Sequence, residues 1–93
     1  MIASFRDKQT EKLWRSGRCR RIPAALQRRA FMKLAILNAA ITLENLRVPT
    51  GNHLEALRGD RLGQHSIRIN DQFRICFLWQ DGNAFDVEIT DYH

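Results

Sequence analysis

The stretch "SIRINDQFRICF", residues 66–77, decides the fold because it is typical of two buried strands joined by a tight turn. Alternate residues of a strand share a face, so the buried residues fix the pairing register. A three-residue loop lets Ile67 oppose Ile75 and gathers the apolar side chains on one face. The same register places Arg68 opposite Arg74 on the other face, where like charges destabilise a sheet. We therefore expect a negative group to lie against this pair.

The next connection, residues 80–82, predicts a second three-residue loop with glycine in the left-handed position. This register places Phe77 opposite Phe85 and Arg74 opposite Glu88. The second face of the sheet is then polar, with Ser66, Arg68, Arg74, Asp86, Glu88, Thr90 and Tyr92. It is either an anion-binding face, which we favour, or a solvated face with an Arg74–Glu88 ion pair of little energetic value.

Two predicted helices precede these strands. Asp7 or Thr10 caps the first helix, which ends at Gly17. Pro23 suits the first turn of the second helix, whose apolar stripe is Leu26, Ala30, Leu34, Leu37 and Ile41. The chain, residues 1–93, is therefore predicted to be a single α+β domain. An N-terminal strand and two helices pack on one face of an antiparallel sheet with a C-terminal three-stranded meander.

The charge is positive overall and unevenly distributed. The formal net charge is +5, and residues 1–47 hold eleven Lys or Arg against three acids, whereas residues 48–93 hold four against seven. A basic half favours a polyanion such as RNA, DNA or the ribosome, or an acidic partner protein, although a solvated helix surface explains it equally well. The candidate RNA- or ribosome-binding residues are Arg18, Arg20, Arg21, Arg28, Arg29, Lys33, Arg58 and Arg61.

The composition excludes several other classes. The N-terminus has no secretory h-region, and the most apolar stretch, residues 34–43, is too short to span a membrane. We therefore expect a cytoplasmic protein in which Cys19 and Cys76 stay reduced. The histidines and acids have no metal-type spacing, so neither a metal nor a cofactor is expected. Cys76 is interpreted as a small packed residue rather than a reactive thiolate.

Two arginines fixed on a sheet suit bidentate contacts with phosphate. Cleaving RNA without metal also requires a base for the 2′-hydroxyl, positive charge on the phosphorane and an acid for the leaving 5′-oxygen. His93 titrates near neutral pH and suits either proton transfer, with Tyr92 and Asp91 as candidate partners. His53 is a second candidate imidazole in the preceding loop.

The motifs together resemble a known family. They are G-N-x-L-E-x-L from Gly51, then S-I-R-I-N, Q-F-R-I-C-F and the terminal V-E-I-T-D-Y-H, with "ILNAAITLENLRVP" before them. This order of motifs resembles the HigB toxins of the RelE superfamily, from bacterial type II toxin–antitoxin systems. The resemblance covers nearly the whole chain and implies a compact sheet with two helices on one face.

The resemblance also implies an activity, which is metal-independent cleavage of messenger RNA in the ribosomal A site by 2′-hydroxyl attack. It implies that Arg68 and Arg74 face the phosphate and that Asp91, Tyr92 and His93 are needed for catalysis, with His53 less directly matched. The implied partners are the 70S ribosome, messenger RNA and a HigA-type helix-turn-helix antitoxin, through which operator DNA is reached only indirectly. Two alternatives to a nuclease remain open. The chain is either a non-catalytic binder of the ribosome or of nucleic acid, or a modulator of a DNA-binding protein.

Overall fold

The computed structural model describes residues 1–91, so the candidate catalytic residues Tyr92 and His93 lie outside the described residues. Two helices precede four strands, and short 3-10 turns lie between them. The strands form a four-stranded antiparallel sheet in the order β1-β2-β3-β4. The elements are α1 (Lys8–Ser16), α2 (Ala24–Ala39), β1 (Glu55–Ala56), β2 (His65–Arg68), β3 (Phe73–Gln80) and β4 (Asn83–Asp91).

The two helices form where capping and periodicity predict them. A side-chain oxygen of Asp7 accepts a hydrogen bond from the Thr10 N–H at 3.1 Å and caps α1. Gly17 ends α1 in the left-handed conformation, with φ 77°. The apolar stripe of α2 is buried at Leu34 and Leu37, but Ile41 is 77 % exposed, so its assignment to the core is wrong. The helix ends before it, because Ala40 adopts an extended conformation.

Both helices pack on one face of the sheet, which confirms the predicted α+β architecture. Full burial of a Leu, Ile or Phe side chain stabilises the fold by roughly 1.5–3 kcal/mol, and the chain buries many. The side chains at 0–1 % exposure in this core include Leu13, Leu34, Leu37, Ile67, Ile75, Phe77, Val87 and Ile89. Among residues 1–91, no helix has both the length and the hydropathy that crossing a membrane requires.

The first hairpin has the predicted register. Ile67 opposes Ile75 and Arg68 opposes Arg74. The turn needs no glycine because the side-chain oxygen of Asn70 accepts the backbone N–H groups of Gln72 and Phe73, at 3.0 and 2.7 Å.

The predicted register of the second hairpin is wrong. The loop has two residues, Asp81 and Gly82, both with positive φ, and Gln80 pairs with Asn83. The register then shifts by one residue between Cys76 and Leu78, where β4 carries a bulge with Asp86 at φ 51°. As a result Arg74 opposes Thr90 instead of Glu88.

The positive φ of Asp86 at the bulge predicts how substitutions there change the free energy of unfolding. Asn and Gly accept positive φ, whereas a β-branched side chain does so at a cost of roughly 1–2 kcal/mol. We expect Asp86→Val to lower the free energy of unfolding by about that amount, and Asp86→Asn and Asp86→Gly to leave it nearly unchanged. Urea titration of the three variants measures the free energy of unfolding. Equal stability of Asp86→Val and Asp86→Asn would contradict a positive φ at this position.

The predicted N-terminal strand is present as two isolated parallel bridges to β4, Ile2 to Ala84 and Phe5 to Val87. Four backbone hydrogen bonds of 2.7–3.1 Å hold this segment along the outer edge of β4. The edge of the sheet is thereby covered, which limits pairing with other chains.

The central part of the second face of the sheet, around Arg74, is covered by a loop. Ser66 and Cys76 are fully buried and Arg74 is 7 % exposed. The chain between Thr50 and Arg61 lies against this face, since it contacts Arg74 and Glu88 by hydrogen bonds. The alternative of a solvated face is therefore wrong around Arg74, whereas Arg68 and Asp86 stay accessible.

Candidate functional site

Each arginine of the opposed pair has its own carboxylate. Arg68 pairs with Asp71, three residues along the same hairpin, and a side-chain nitrogen of Arg74 lies 3.4 Å from a carboxylate oxygen of Glu55 in β1. These two acids supply the negative charge that the opposed arginines require. The predicted Arg74–Glu88 pair is wrong, because Glu88 instead accepts a 2.7 Å hydrogen bond from Arg61.

Arg74 is held on several sides. Its Nε donates to the Ser66 hydroxyl at 2.7 Å, and its Nη2 donates to the His53 carbonyl at 2.6 Å. A charged side chain at 7 % exposure needs such partners, since an unpaired buried charge is costly. The guanidinium of Arg74 is consequently fixed in orientation.

Arg68 is more accessible. Its side chain is 34 % exposed, and its partner Asp71 is 94 % exposed. A pair with so solvated a carboxylate is worth about 0–1 kcal/mol, so a phosphate oxygen competes with the carboxylate readily. Of the two opposed arginines, Arg68 is better placed to receive an incoming anion.

The turn at residues 50–53 connects α2 to the arginine pair. His53 is in the left-handed conformation, with φ 45° and ψ 56°, and its carbonyl accepts from Arg74 while its side chain is exposed. Asn52 is fully buried, and its side-chain oxygen accepts from the Lys33 ammonium at 2.6 Å. The Asn52 amide nitrogen donates to the Leu46 carbonyl at 3.1 Å. Asn52 thus anchors the turn that presents His53.

Asn52→Ala removes both anchoring hydrogen bonds and leaves their partners unsatisfied. A buried group without a partner costs about 1–3 kcal/mol, and we expect a loss of that size in the free energy of unfolding. Asn83→Ala is the matched control, because the Asn83 amide makes an exposed 3.3 Å bond to Asp81; we expect a change within about 0.5 kcal/mol. Equal effects in guanidinium unfolding would show that Asn52 is not an anchor.

Two adjoining grooves lie beside these residues. The first groove, about 300 Å³ in volume, is lined by His53, Glu55, Arg68, Asn70, Asp71 and Arg74. The second groove, about 330 Å³, shares His53, Arg68, Asn70 and Asp71 with the first and adds Arg29, Lys33, Gly51 and Ile69. Both volumes lie at the lower end of the range for small-ligand sites.

The second groove has a positive electrostatic environment. Burial, and then the charge of neighbouring Arg29, lower the pKa of Lys33. A lowered lysine pKa means that its surroundings disfavour the positive charge. An anion in this groove would favour the charged form of Lys33 and reduce its repulsion by Arg29.

The other predicted site residues are more dispersed. Asp91 ends β4 opposite Phe73, and its carboxylate accepts from the Gln72 side chain at 3.1 Å; among the described residues it does not line either groove. Arg61 is held by Glu88, and this hydrogen bond raises the pKa of Arg61. The predicted RNA-binding residues outside both grooves are Arg18, Arg20, Arg21, Arg28, Arg58 and Arg61.

Sequence reasoning did not identify Asn52, Glu55, Asn70 and Asp71 as site residues. Asn52 and Glu55 lie within two residues of His53 in the G-N-x-L-E-x-L motif, and this proximity was the signal that could have identified them as site residues. Within residues 1–91, no group of three or more His, Cys, Asp or Glu side chains is arranged to hold a metal ion.

Comparison with known proteins identifies the family of the chain. A family model described as "RelE-like toxin of type II toxin-antitoxin system HigB" matches residues 3–93. Toxin HigB-1 of Vibrio cholerae is 41% identical over 93 residues, covering 99% of this chain and 98% of that protein. Endoribonuclease HigB of Proteus vulgaris is 31% identical over 93 residues, with both chains fully covered.

A solved structure supports the fold. The YoeB–YefM complex from Staphylococcus aureus contains a chain that matches with a TM-score of 0.62 at 14% identity, covering 100% of this chain and 98% of that one. The sheet, the helices and the sequence relatives agree, and the chain belongs to the HigB family of RelE-like toxins of type II toxin–antitoxin systems.

Proposed function

We propose that this toxin is an endoribonuclease that cleaves messenger RNA in the A site of the ribosome and so inhibits translation. One observation carries the proposal: a groove between His53 and the opposed pair Arg68 and Arg74, with its cations neutralised by solvated carboxylates. The name of the Proteus vulgaris relative supports the activity.

The proposed reaction begins with attack of a 2′-hydroxyl on the adjacent phosphate. Arg68 leaves Asp71 and contacts the phosphate oxygens, where its charge stabilises the phosphorane. Arg74, held by Ser66 and His53, forms the rigid back wall of the groove. The 5′-oxygen leaves with a proton, and the products are a 2′,3′-cyclic phosphate and a 5′-hydroxyl.

Proton transfer is assigned to the histidines. The exposed His53 imidazole lines the groove, which supports its proposed role as base or acid. The terminal residues Asp91, Tyr92 and His93 are proposed to provide the complementary group, in keeping with the family resemblance. Protein groups alone supply the base, the charge and the acid in this reaction.

The proposed partners follow from the family and from the charge. A type II toxin pairs with an antitoxin, here proposed to be a HigA-type helix-turn-helix protein that also represses their operon. The exposed arginines of residues 18–29 are proposed to contact ribosomal RNA, since eleven basic residues lie in the first half of the chain. The site of action is then the cytoplasm.

Mapping of the new 5′ ends that the toxin creates on one messenger RNA tests this function. Wild-type protein and a variant lacking His93 are compared in a purified translation system and on the same naked RNA. Codon-phased cuts that require ribosomes and disappear in the variant support the proposal. Arrest of translation with the message intact would instead indicate a ribosome binder, and identical cuts on naked RNA would remove the ribosome from the mechanism.

A further inference from the structure

The second groove is positively charged beyond what the cleavage site requires. Arg29 and Lys33 lie one helical turn apart on α2 and line the same wall. Among residues 1–91, Arg29 has no ion pair, and Lys33 is bonded to the neutral amide of Asn52 rather than to an acid. Two neighbouring cations that make no ion pair repel each other, and a bound anion would reduce this repulsion.

The groove is also continuous with the first one. Both grooves share His53 and Arg68, so a strand whose scissile phosphate lies at Arg68 extends into the second groove by way of the wall of α2. Asp71 also lines the second groove and is released when Arg68 contacts the scissile phosphate, so a neighbouring phosphate is expected to contact the cations of α2 and not the Asp71 side.

We propose that the second groove is a subsite for the phosphate of a neighbouring nucleotide on the same RNA strand, with Arg29 and Lys33 as its ligands. The inference rests on the proposed nuclease function and adds the requirement for a substrate longer than one phosphodiester. An acidic segment of a protein partner is the competing occupant. RNA fits better, because the groove opens directly onto the cleavage site and a strand held there continues through both.

Binding of two non-cleavable RNAs tests the subsite. A fully 2′-O-methylated dinucleotide carries one phosphodiester, and a fully 2′-O-methylated tetranucleotide carries three. Affinities are measured by NMR titration at low salt for wild type, Arg29→Gln/Lys33→Gln and Lys8→Gln/Lys12→Gln. The last variant is the matched control, because it removes the same two charges at the same helical spacing from exposed positions of α1.

We expect Arg29→Gln/Lys33→Gln to weaken the tetranucleotide about tenfold or more and the dinucleotide less than twofold, since charge-assisted hydrogen bonds to the extra phosphate are removed. The salt slope for the tetranucleotide should shrink by about 0.7 for each phosphate that the variant no longer neutralises. Equal weakening of both RNAs, or an equal effect in the α1 control, would mean that the loss of affinity comes from the lower net charge of the protein. Either result would overturn the subsite. Unchanged affinity of the Arg29→Gln/Lys33→Gln variant for the tetranucleotide would also overturn it.

Two further variants distinguish failure of the subsite from failure of the proposed cleavage site. Arg29→Gln alone avoids disturbing the Lys33–Asn52 bond and should still weaken the tetranucleotide selectively. Arg68→Gln should weaken both RNAs, because Arg68 serves the cleavage site. If Arg68→Gln changes neither affinity, the proposed cleavage site is wrong; if only the length-dependent effect of Arg29 is missing, the subsite alone is wrong.

Discussion

Replacing Arg68 with glutamine should lower the rate of RNA cleavage by about 10²- to 10³-fold, the usual cost of removing one group that stabilises developing negative charge. The fold should be preserved, because the side chain is 34 % exposed and its partner Asp71 is almost fully solvated. The change in unfolding free energy should stay within about 0.5 kcal/mol. Initial rates of message cleavage and urea titration of the same preparation measure both quantities.

Arg47→Gln is the control for this experiment. Arg47 is exposed and pairs at 2.8 Å with Glu44, three residues away, so it has the same local pairing as Arg68 but lies outside both grooves. Its cleavage rate should be unchanged. A decrease in cleavage as large in Arg47→Gln as in Arg68→Gln would mean that net charge, and not the groove, determines activity.

Arg74→Gln combines loss of activity with loss of stability. The substitution leaves the buried Ser66 hydroxyl and the His53 carbonyl without their donor, and we expect the free energy of unfolding to fall by about 1–3 kcal/mol. Domains of this kind have only about 5–15 kcal/mol in total, so the effect is large. Cleavage should also be abolished at temperatures where the variant is folded, because the turn carrying His53 is no longer held.

Two further variants serve as comparisons for the stability of Arg74→Gln. Ser66→Ala removes the hydroxyl that accepts from Arg74 Nε and leaves the other partners of Arg74 in place, so it should cost less than Arg74→Gln in the same denaturation experiment. Arg15→Gln, which breaks an exposed pair with Glu11, should change stability by less than about 0.5 kcal/mol. If Arg74→Gln is as stable as Arg15→Gln, the hydrogen bonds of Arg74 do not support the groove.

The parts of the fold that follow from local pattern were predictable. Alternation of Ile67, Ile69, Phe73 and Ile75 allows a single register that buries all four, and that register is observed. The caps of α1 follow from Asp7 and Gly17 for a similarly local reason. The relation between Arg68 and Arg74 was therefore visible in the sequence alone.

The second register was not predictable from the same pattern. Insertion of one bulge residue at Asp86 reverses the alternation in the rest of β4, and an aspartate gives no strong sign of a bulge. The pairing of Arg74 with Glu88 followed from assuming a three-residue loop and a regular ladder, whereas the loop has two residues and the ladder contains a bulge. In the structure Glu88 faces Arg61 instead, which comes from a loop that strand periodicity does not place.

The composition of the site depended on residues distant in sequence. Lys33 and Asn52 are 19 residues apart, and His53 and Arg74 are 21 apart. Neither hydropathy nor spacing indicates which loop covers a polar sheet face, so burial of Arg74 was missed. The contribution of Glu55 was missed for the same reason, although its motif was recognised.

The chemistry of the cut ends tests the central claim most directly. RNA cut by this toxin in a translation reaction is isolated, and the two new termini are identified by their reactivity with ligase, kinase and phosphatase. Attack by the 2′-hydroxyl on a phosphate held at Arg68 predicts a 2′,3′-cyclic phosphate and a 5′-hydroxyl, with no cut where the attacking nucleotide is 2′-deoxy. A 5′-phosphate beside a 3′-hydroxyl, or an undiminished cut at the deoxy position, would contradict it.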